Sequence, residues 1–166
     1  MWLPGEFFLR LEAVPATPPR FLSNPLDEWP PLRCVSTRCF GRVAIHHLLS
    51  KLERQYFYVF DYATDVTDIR EQFALHLGET QEIAQELGIP HPRQIPTTDP
   101  MVMTTDFLLT FDGKRSVAVN LKHAQDLSRR RVIEKLEIER VYWKRHDVTW
   151  RVWGENELPF FPRSTL

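Results

Sequence analysis

Asp106 interrupts an apolar run that continues as Phe107-Leu108-Leu109 and Phe111, and Lys122 follows sixteen positions later, with Asn120 two residues before it. Residues 101–111 and 116–122 alternate as strands do, and Asp112-Gly113 between them is a tight-turn pair, so a hairpin is expected to bring Asp106 and Lys122 to one sheet end. Residues two apart in a strand share a face, which sets Asn120 beside Lys122. Phosphodiester hydrolysis uses such a set. Hard oxygen ligands hold Mg²⁺, which polarises the phosphate and lowers the pKa of bound water, and an ammonium orients that water or neutralises developing charge. Glu53, on a helix expected over residues 43–60, is a candidate further ligand. The same spacing also fits a cross-strand ion pair of Asp106 and Lys122 with no function. A carboxylate in an apolar strand is costly, however, unless a metal or cation compensates it.

The elements that must position these residues follow from periodicity. Ile45, Leu48, Leu49, Leu52, Tyr56 and Val59 recur at helical steps and predict the helix over 43–60 that carries Glu53. A strand is expected over 66–75 and a short helix over 79–87, ended by Gly88 in the left-handed conformation. Pro90, Pro92, Pro96 and Pro100 make the next stretch irregular. After the hairpin, a helix over 127–144, capped by Asp126 or Ser128, leads to a strand over 148–153. This order predicts an α/β domain with a central mixed sheet and helices on both faces.

Composition bounds the rest. The 166 residues suit one domain, expected over 41–158, with an arm over 1–40 and a tail over 159–166. Seven of the thirteen prolines fall in the first 31 residues among Trp2, Phe7, Phe8, Phe21 and Trp29, so the arm is extended and not helical. No apolar run is long enough to span a membrane and no leader pattern is present, so a cytoplasmic protein is expected. Cys34 and Cys39 form no disulfide framework, and with His46 and His47 they match no usual zinc spacing. A net charge of −1 argues against gripping nucleic acid by bulk charge alone. Between residues 129 and 151, though, eight Lys or Arg face four acids, with Arg129, Arg130 and Arg131 at the start. That segment is either a DNA-facing surface or an ordinary solvated helix face.

Several blocks in order carry a family resemblance. They are His46-His47-Leu48-Leu49-Ser50-Lys51-Leu52-Glu53 and its continuation through Tyr58; Asp65-Val66-Thr67-Asp68-Ile69-Arg70-Glu71-Gln72; Met103-Thr104-Thr105-Asp106-Phe107; Val119-Asn120-Leu121-Lys122; and the helix from Arg131 to Arg140. Over residues 41–158 the chain resembles the N-terminal half of the TnsA transposon endonucleases. The resemblance implies a restriction-endonuclease-like PD-(D/E)XK fold with Glu53, Asp106 and Lys122 as catalytic residues. It implies Mg²⁺, replaceable by Mn²⁺, on Glu53, Asp106 and Asn120, with Gln72 as an active-site neighbour. It further implies 5′-strand cleavage of double-stranded DNA at transposon ends, beside a TnsB-like transposase and a TnsC-like ATPase. Two departures stand out. Asn120 occupies a position where the family has Gln or Glu, and family members continue into a further, TnsC-engaging domain whereas this sequence stops at Leu166. These departures keep two other functions open, a catalytically weak assembly or DNA-positioning subunit and a stand-alone phage or defence nuclease. His46 and His47 are expected to open the first helix as cap or surface residues, and Trp143, Trp150 and Trp153 to be core. Glu71 and Gln72 fit a place beside the site and plain strand positions equally.

Overall fold

The computed structural model describes residues 33–36, 44–112 and 114–157. Most of the expected arm, the expected tail and Gly113 lie outside the described residues, as does Cys39.

Four strands form one mixed sheet in the order β3 (Val66–Ala74), β4 (Thr104–Phe111), β5 (Arg115–Leu121), β6 (Thr149–Trp153). The first three run antiparallel, and β6 returns parallel to β5. That return requires a crossover, which α3 (Arg130–Arg145) supplies. A separate two-stranded ribbon pairs β1 (Arg33–Ser36) with β2 (Ala44–His47), and α1 (Lys51–Tyr62) and α2 (Leu77–Glu86) complete the described elements.

Period-two alternation explains why helices cover both faces. Phe107, Leu109, Phe111 and Val119 join Leu52, Tyr56, Phe57 and Phe60 of α1 in one core. Leu108 and Ala118 face the other way, onto Ile83 and Ala84 of α2 and Ile138, Tyr142 and Trp143 of α3. The α/β architecture is the one expected.

Several boundaries differ from the sequence expectation for identifiable reasons. The first helix begins at Lys51, not at residue 43, because Ser50 caps it: its hydroxyl accepts from Glu53 N–H at 3.1 Å. Upstream, burial alternates, with Ile45 and His47 exposed and His46 buried, as suits strand β2. His46 therefore opens no helix. It lies inside, its ring 4.7 Å from that of Phe57 and its Nδ1 2.6 Å from Glu71 Oε2. Neither Asp126 nor Ser128 caps α3: Asp126 pairs with Arg129, Ser128 donates to Gln125 O, and Arg129 occupies the cap position without a side-chain bond. Gly88 ends its helix at φ 65°, as expected. Trp143 is buried, and Trp150 and Trp153 are half-buried against the two cores.

Loss of an N-cap hydroxyl costs about 1 kcal/mol. Ser50→Ala is expected to lower the melting temperature by roughly 2–4 °C, and Ser50→Thr, which keeps both the donor and the acceptor, to restore it. An unchanged melting temperature in Ser50→Ala would show that something else fixes the start of α1.

Candidate active site

The two strands that carry Gln72 and Asp106 change face at those residues. Glu71 and Phe107 are register partners, as are Phe73 and Thr105. Regular alternation would put Phe73 with Glu71 and Thr105 with Phe107. Instead, Phe107 packs under α1, while Thr105 accepts from Trp143 and Phe73 packs at a tilt against Trp143, both on the α3 side. Gln72 takes φ 47°, a left-handed conformation that costs an L-residue about 1–2 kcal/mol. The sheet is thus kinked where Gln72 and Asp106 oppose one another, and the β4–β5 register ends at Phe107–Val119.

Past that point the Asp106 side chain does what a strand carbonyl would do. Its Oδ2 accepts from Leu121 N–H at 2.7 Å and from Lys122 Nζ at 3.2 Å. Lys122, just beyond β5, also donates to Leu121 O at 2.9 Å. A carboxylate oxygen and a carbonyl oxygen therefore converge on one positive charge. The pair is partly screened from solvent, with side-chain exposures of 13% for Asp106 and 30% for Lys122. Backbone packing holds the lysine in place. Lys122 N–H donates to Trp153 O at 2.9 Å, and a Cβ at Gly154 would come within 2.9 Å of Lys122 O, so only glycine allows this approach. Tyr56 of α1 clamps the same corner, its hydroxyl donating to Gly154 O at 2.7 Å, and burial raises the pKa of that hydroxyl.

Glu53 is buried at the start of α1. It accepts from Leu49 N–H at 2.8 Å and Ser50 Oγ at 2.9 Å, which makes it the acidic partner of a capping box. It also receives Gln72 Nε2 at 3.4 Å, and the Gln72 Oε1 accepts from Thr104 at 3.1 Å. Gln72 is thus beside Glu53, on the strand opposite Asp106. Next to it, Glu71 ties β2 to the sheet. Burial pushes its carboxyl up, but hydrogen bonds from His46 and from the His47 backbone outweigh that and hold it below the usual range.

Asn120 is 2% exposed, and its amide nitrogen meets no acceptor in good hydrogen-bond geometry, though it lies close enough to one buried carboxylate to stabilise its charge. Its near neighbour is Glu139 of α3, a residue that sequence reasoning passed over. Glu139 is 3% exposed and takes a short hydrogen bond from the Thr105 hydroxyl, which itself accepts from Trp143 Nε1 at 2.8 Å. Burial pushes its carboxyl up to about 7; Thr105, the Asn120 amide and Lys122 pull it down, and the Asp106 charge pushes it further up. One signal was available: Leu136, Glu139 and Trp143 follow at helical spacing, which puts an acid on the buried stripe of α3.

Arg129, Arg130 and Arg131 make their contacts with other residues. Arg129 pairs with Asp126, Arg130 and Arg131 with Glu134, and Arg131 also donates to Pro90 O. Among the described residues, no group of three or more His, Cys, Asp and Glu could hold a metal. A hard cation here would need amide or carbonyl oxygens beside Asp106 and Glu53. The Leu121 carbonyl and the Gln72 amide oxygen are of that kind, and Asp106 with Leu121 O already gathers around a cation. The donor chemistry fits.

A mixed four-stranded sheet with helices on both faces and an acid–lysine hairpin at its kinked end defines an α/β, restriction-endonuclease-like domain. Residues 63–155 match the family described as TnsA-like endonuclease N terminal, and the chain belongs to that family. The match includes Gln72, Asp106, Asn120, Lys122 and Glu139 and begins after Glu53. A curated relative, the "Transposon Tn7 transposition protein TnsA" of Escherichia coli, is 42% identical over 120 residues. That alignment covers 71% of this chain and 42% of the relative's length. No helix among the described residues is long and apolar enough to cross a membrane.

Glu139 makes a pH prediction. Its folded pKa, about 7, lies above the ordinary 4.5, so the folded state binds the extra proton between those values. Stability from this group is therefore complete below about pH 4.5 and is lost as pH rises through 7, by about 3 kcal/mol at most. Glu139→Gln keeps an acceptor for Thr105 and removes the titration. Thermal melts from pH 4.5 to 8 should decline more steeply for the wild type than for the variant; parallel curves would refute the assignment.

Proposed function

We propose that this chain is a metal-dependent DNA endonuclease subunit of a heteromeric cut-and-paste transposase, cleaving the 5′ strand at transposon ends. The observation that carries this reading is the convergence of Asp106 Oδ2 and Leu121 O on the Lys122 ammonium at the kinked sheet end. Family membership supports the nuclease class, and the similarity to a transposition protein supports the setting. The partners inferred are double-stranded DNA, a TnsB-like transposase and a TnsC-like ATPase.

Asp106 and Glu53 are the ligands proposed for Mg²⁺, or Mn²⁺ in its place, with Leu121 O, Gln72 or Asn120 as neutral oxygen donors. When bound, such a metal polarises the phosphate and lowers the pKa of water. The chain's own groups do the rest. Lys122 keeps its proton at Nζ and places positive charge where the pentavalent phosphate gathers negative charge. Its two oxygen partners fix that position, and the Trp153–Gly154 backbone keeps it from drifting. Gln72 and the Leu49 N–H hold Glu53 Oε2, and the Ser50 hydroxyl takes one acceptor site of Oε1, which leaves the other for a metal. Arg129, Arg130 and Arg131 are proposed to meet DNA phosphates at the exposed start of α3, where their acidic partners blunt the attraction.

One observation favours a weaker enzyme. Asn120 is buried against Glu139, so a short amide replaces the longer Gln or Glu side chain of the family at a site already rich in acid. A catalytically weak assembly or DNA-positioning subunit is the reading this supports.

Mixed with its transposase partner, end-bearing DNA and Mg²⁺, the wild type should nick the 5′ strand, and Asp106→Ala or Lys122→Ala should lower the rate about 100-fold or more. Nicking that survives both changes excludes the site; 3′ joining without any 5′ nick in the wild type favours the assembly subunit. A separate pair of measurements tests Glu53. Glu53→Gln preserves an acceptor for the cap, so its melting temperature should stay near that of the wild type while nicking falls. Added Mg²⁺ should raise the melting temperature of the wild type and not that of Asp106→Asn, since only a folded site binds it.

A further inference from the structure

A second cation cluster lies away from Asp106 and Lys122. The C-terminal half of α3 and the start of β6 border an open surface hollow of about 350 Å³ whose walls include Arg140, Lys144, Thr149, Trp150 and Arg151, with Asp147 as the sole acid lining it. Most cations of α3 are already engaged: Arg130 and Arg131 with Glu134, Arg140 with Glu137, and Arg145 with Glu86. Lys144 and Arg151 have no ion-pair partner among the described residues. The wall therefore offers donors in excess, two of them charged and unpaired, against one carboxylate.

Such a wall suits an anion that brings several acceptor oxygens on a single centre. Lys144 supplies a compact charge and Arg151 a planar fork, the two donor types that phosphate accepts. The position along the sheet matters as well. Arg151 is the register partner of Val119, and Thr149 that of Val117, so they sit three and five residues from Lys122 along β5. At about 3.3 Å per residue that is roughly 10–17 Å, and one strand of B-DNA carries a phosphate about every 3.4 Å along the axis. The offset is thus of the order of a few nucleotides.

We infer that the hollow between α3 and β6 is a second nucleic-acid contact, in which Lys144 and Arg151 hold a backbone phosphate of the duplex a few nucleotides from the bond facing Lys122. The inference rests on the nuclease reading for its ligand class, and it assigns the grip on DNA to residues outside the cutting site. It also shifts weight from the triplet at the head of α3, whose charges are met by Asp126 and Glu134, to Lys144 and Arg151, which have no ion-pair partner among the described residues.

The test measures binding apart from cutting. Full-length protein without metal is titrated into a short labelled duplex by fluorescence anisotropy over a range of salt concentrations. Lys144→Ala with Arg151→Ala should weaken binding roughly tenfold or more at low salt and reduce the slope of log affinity against log salt by about 2. Lys144→Arg with Arg151→Lys should keep both, and all variants should melt like the wild type. Unchanged affinity and slope in the double alanine variant overturns the inference, as does a loss found only in Arg130→Ala with Arg131→Ala. Nicking assays run in parallel separate the two proposals. Affinity lost through Lys144 and Arg151 in a chain that never nicks leaves the phosphate site standing and removes the endonuclease; nicking with unchanged affinity does the reverse.

Discussion

The bond from Leu121 N–H to the Asp106 carboxylate is the constraint on which the rest of the site depends. It replaces a link of the β4–β5 ladder by a side chain, so the strands can part without leaving a buried donor unpaired. An Asp106 committed in this way cannot swing into solvent, and Lys122, which immediately follows Leu121, is brought within reach of it. The kink at Gln72 on the neighbouring strand has the same effect from the other side, turning an amide toward Glu53 where regular pleating would turn it elsewhere. The left-handed backbone at Gln72 is a local cost that the packing of Phe73 and Thr105 on Trp143 offsets.

Two helices then serve the site through opposite faces of the sheet. From one side α1 brings Glu53 as part of its own N-terminal cap, so the group proposed to hold a metal also starts the helix that covers the core. From the other, α3 brings Glu139 to the underside of the Asp106 strand. An acid at that depth stays there only because Thr105 satisfies it and because its proton is retained up to about pH 7. Its charge state is felt by Asp106 and Lys122 across the strand, which links the α3 core electrostatically to the hairpin end.

Much of this was legible in the sequence, and what was not has physical causes. The hairpin was plain because apolar alternation and Asp112-Gly113 agree, and Asp112 indeed turns at φ 49°. Helix α3 and a final strand at β6 followed from periodicity; the parallel pairing of β6 with β5 is set by the crossover through α3 and is not visible in either strand alone. The start of α1 was overrun because Ile45 and Leu48 happen to fit a helical step with Leu49 and Leu52, while Ser50-Lys51-Leu52-Glu53 is itself a capping-box signature that marks the boundary. The burial of His46 could not be read locally, since its partner Glu71 lies 25 residues away. Alternation holds along β5, with Val119 and Leu121 in the α1 core and Ala118 in the α3 core, but that Glu139 lies near Asn120 could not be read locally, since it comes from α3, 19 residues on.

Charge distribution separates what looks basic from what is available to a ligand. Arginines are concentrated at the head of α3, yet Arg129 is met by Asp126 while Arg130 and Arg131 share Glu134, so three positive charges there are reduced to a net of one. Lys144 and Arg151 are less conspicuous in the sequence, being seven residues apart on different elements, but the return from α3 to β6 brings them to one hollow. A surface that must hold a polyanion without a high net charge benefits from such an arrangement. Paired arginines keep the chain near neutrality and limit indiscriminate binding, while the few unpaired cations concentrate attraction at points set by the sheet register. The position of the grip relative to Lys122 then depends on strand pairing, which is stiffer than any surface loop.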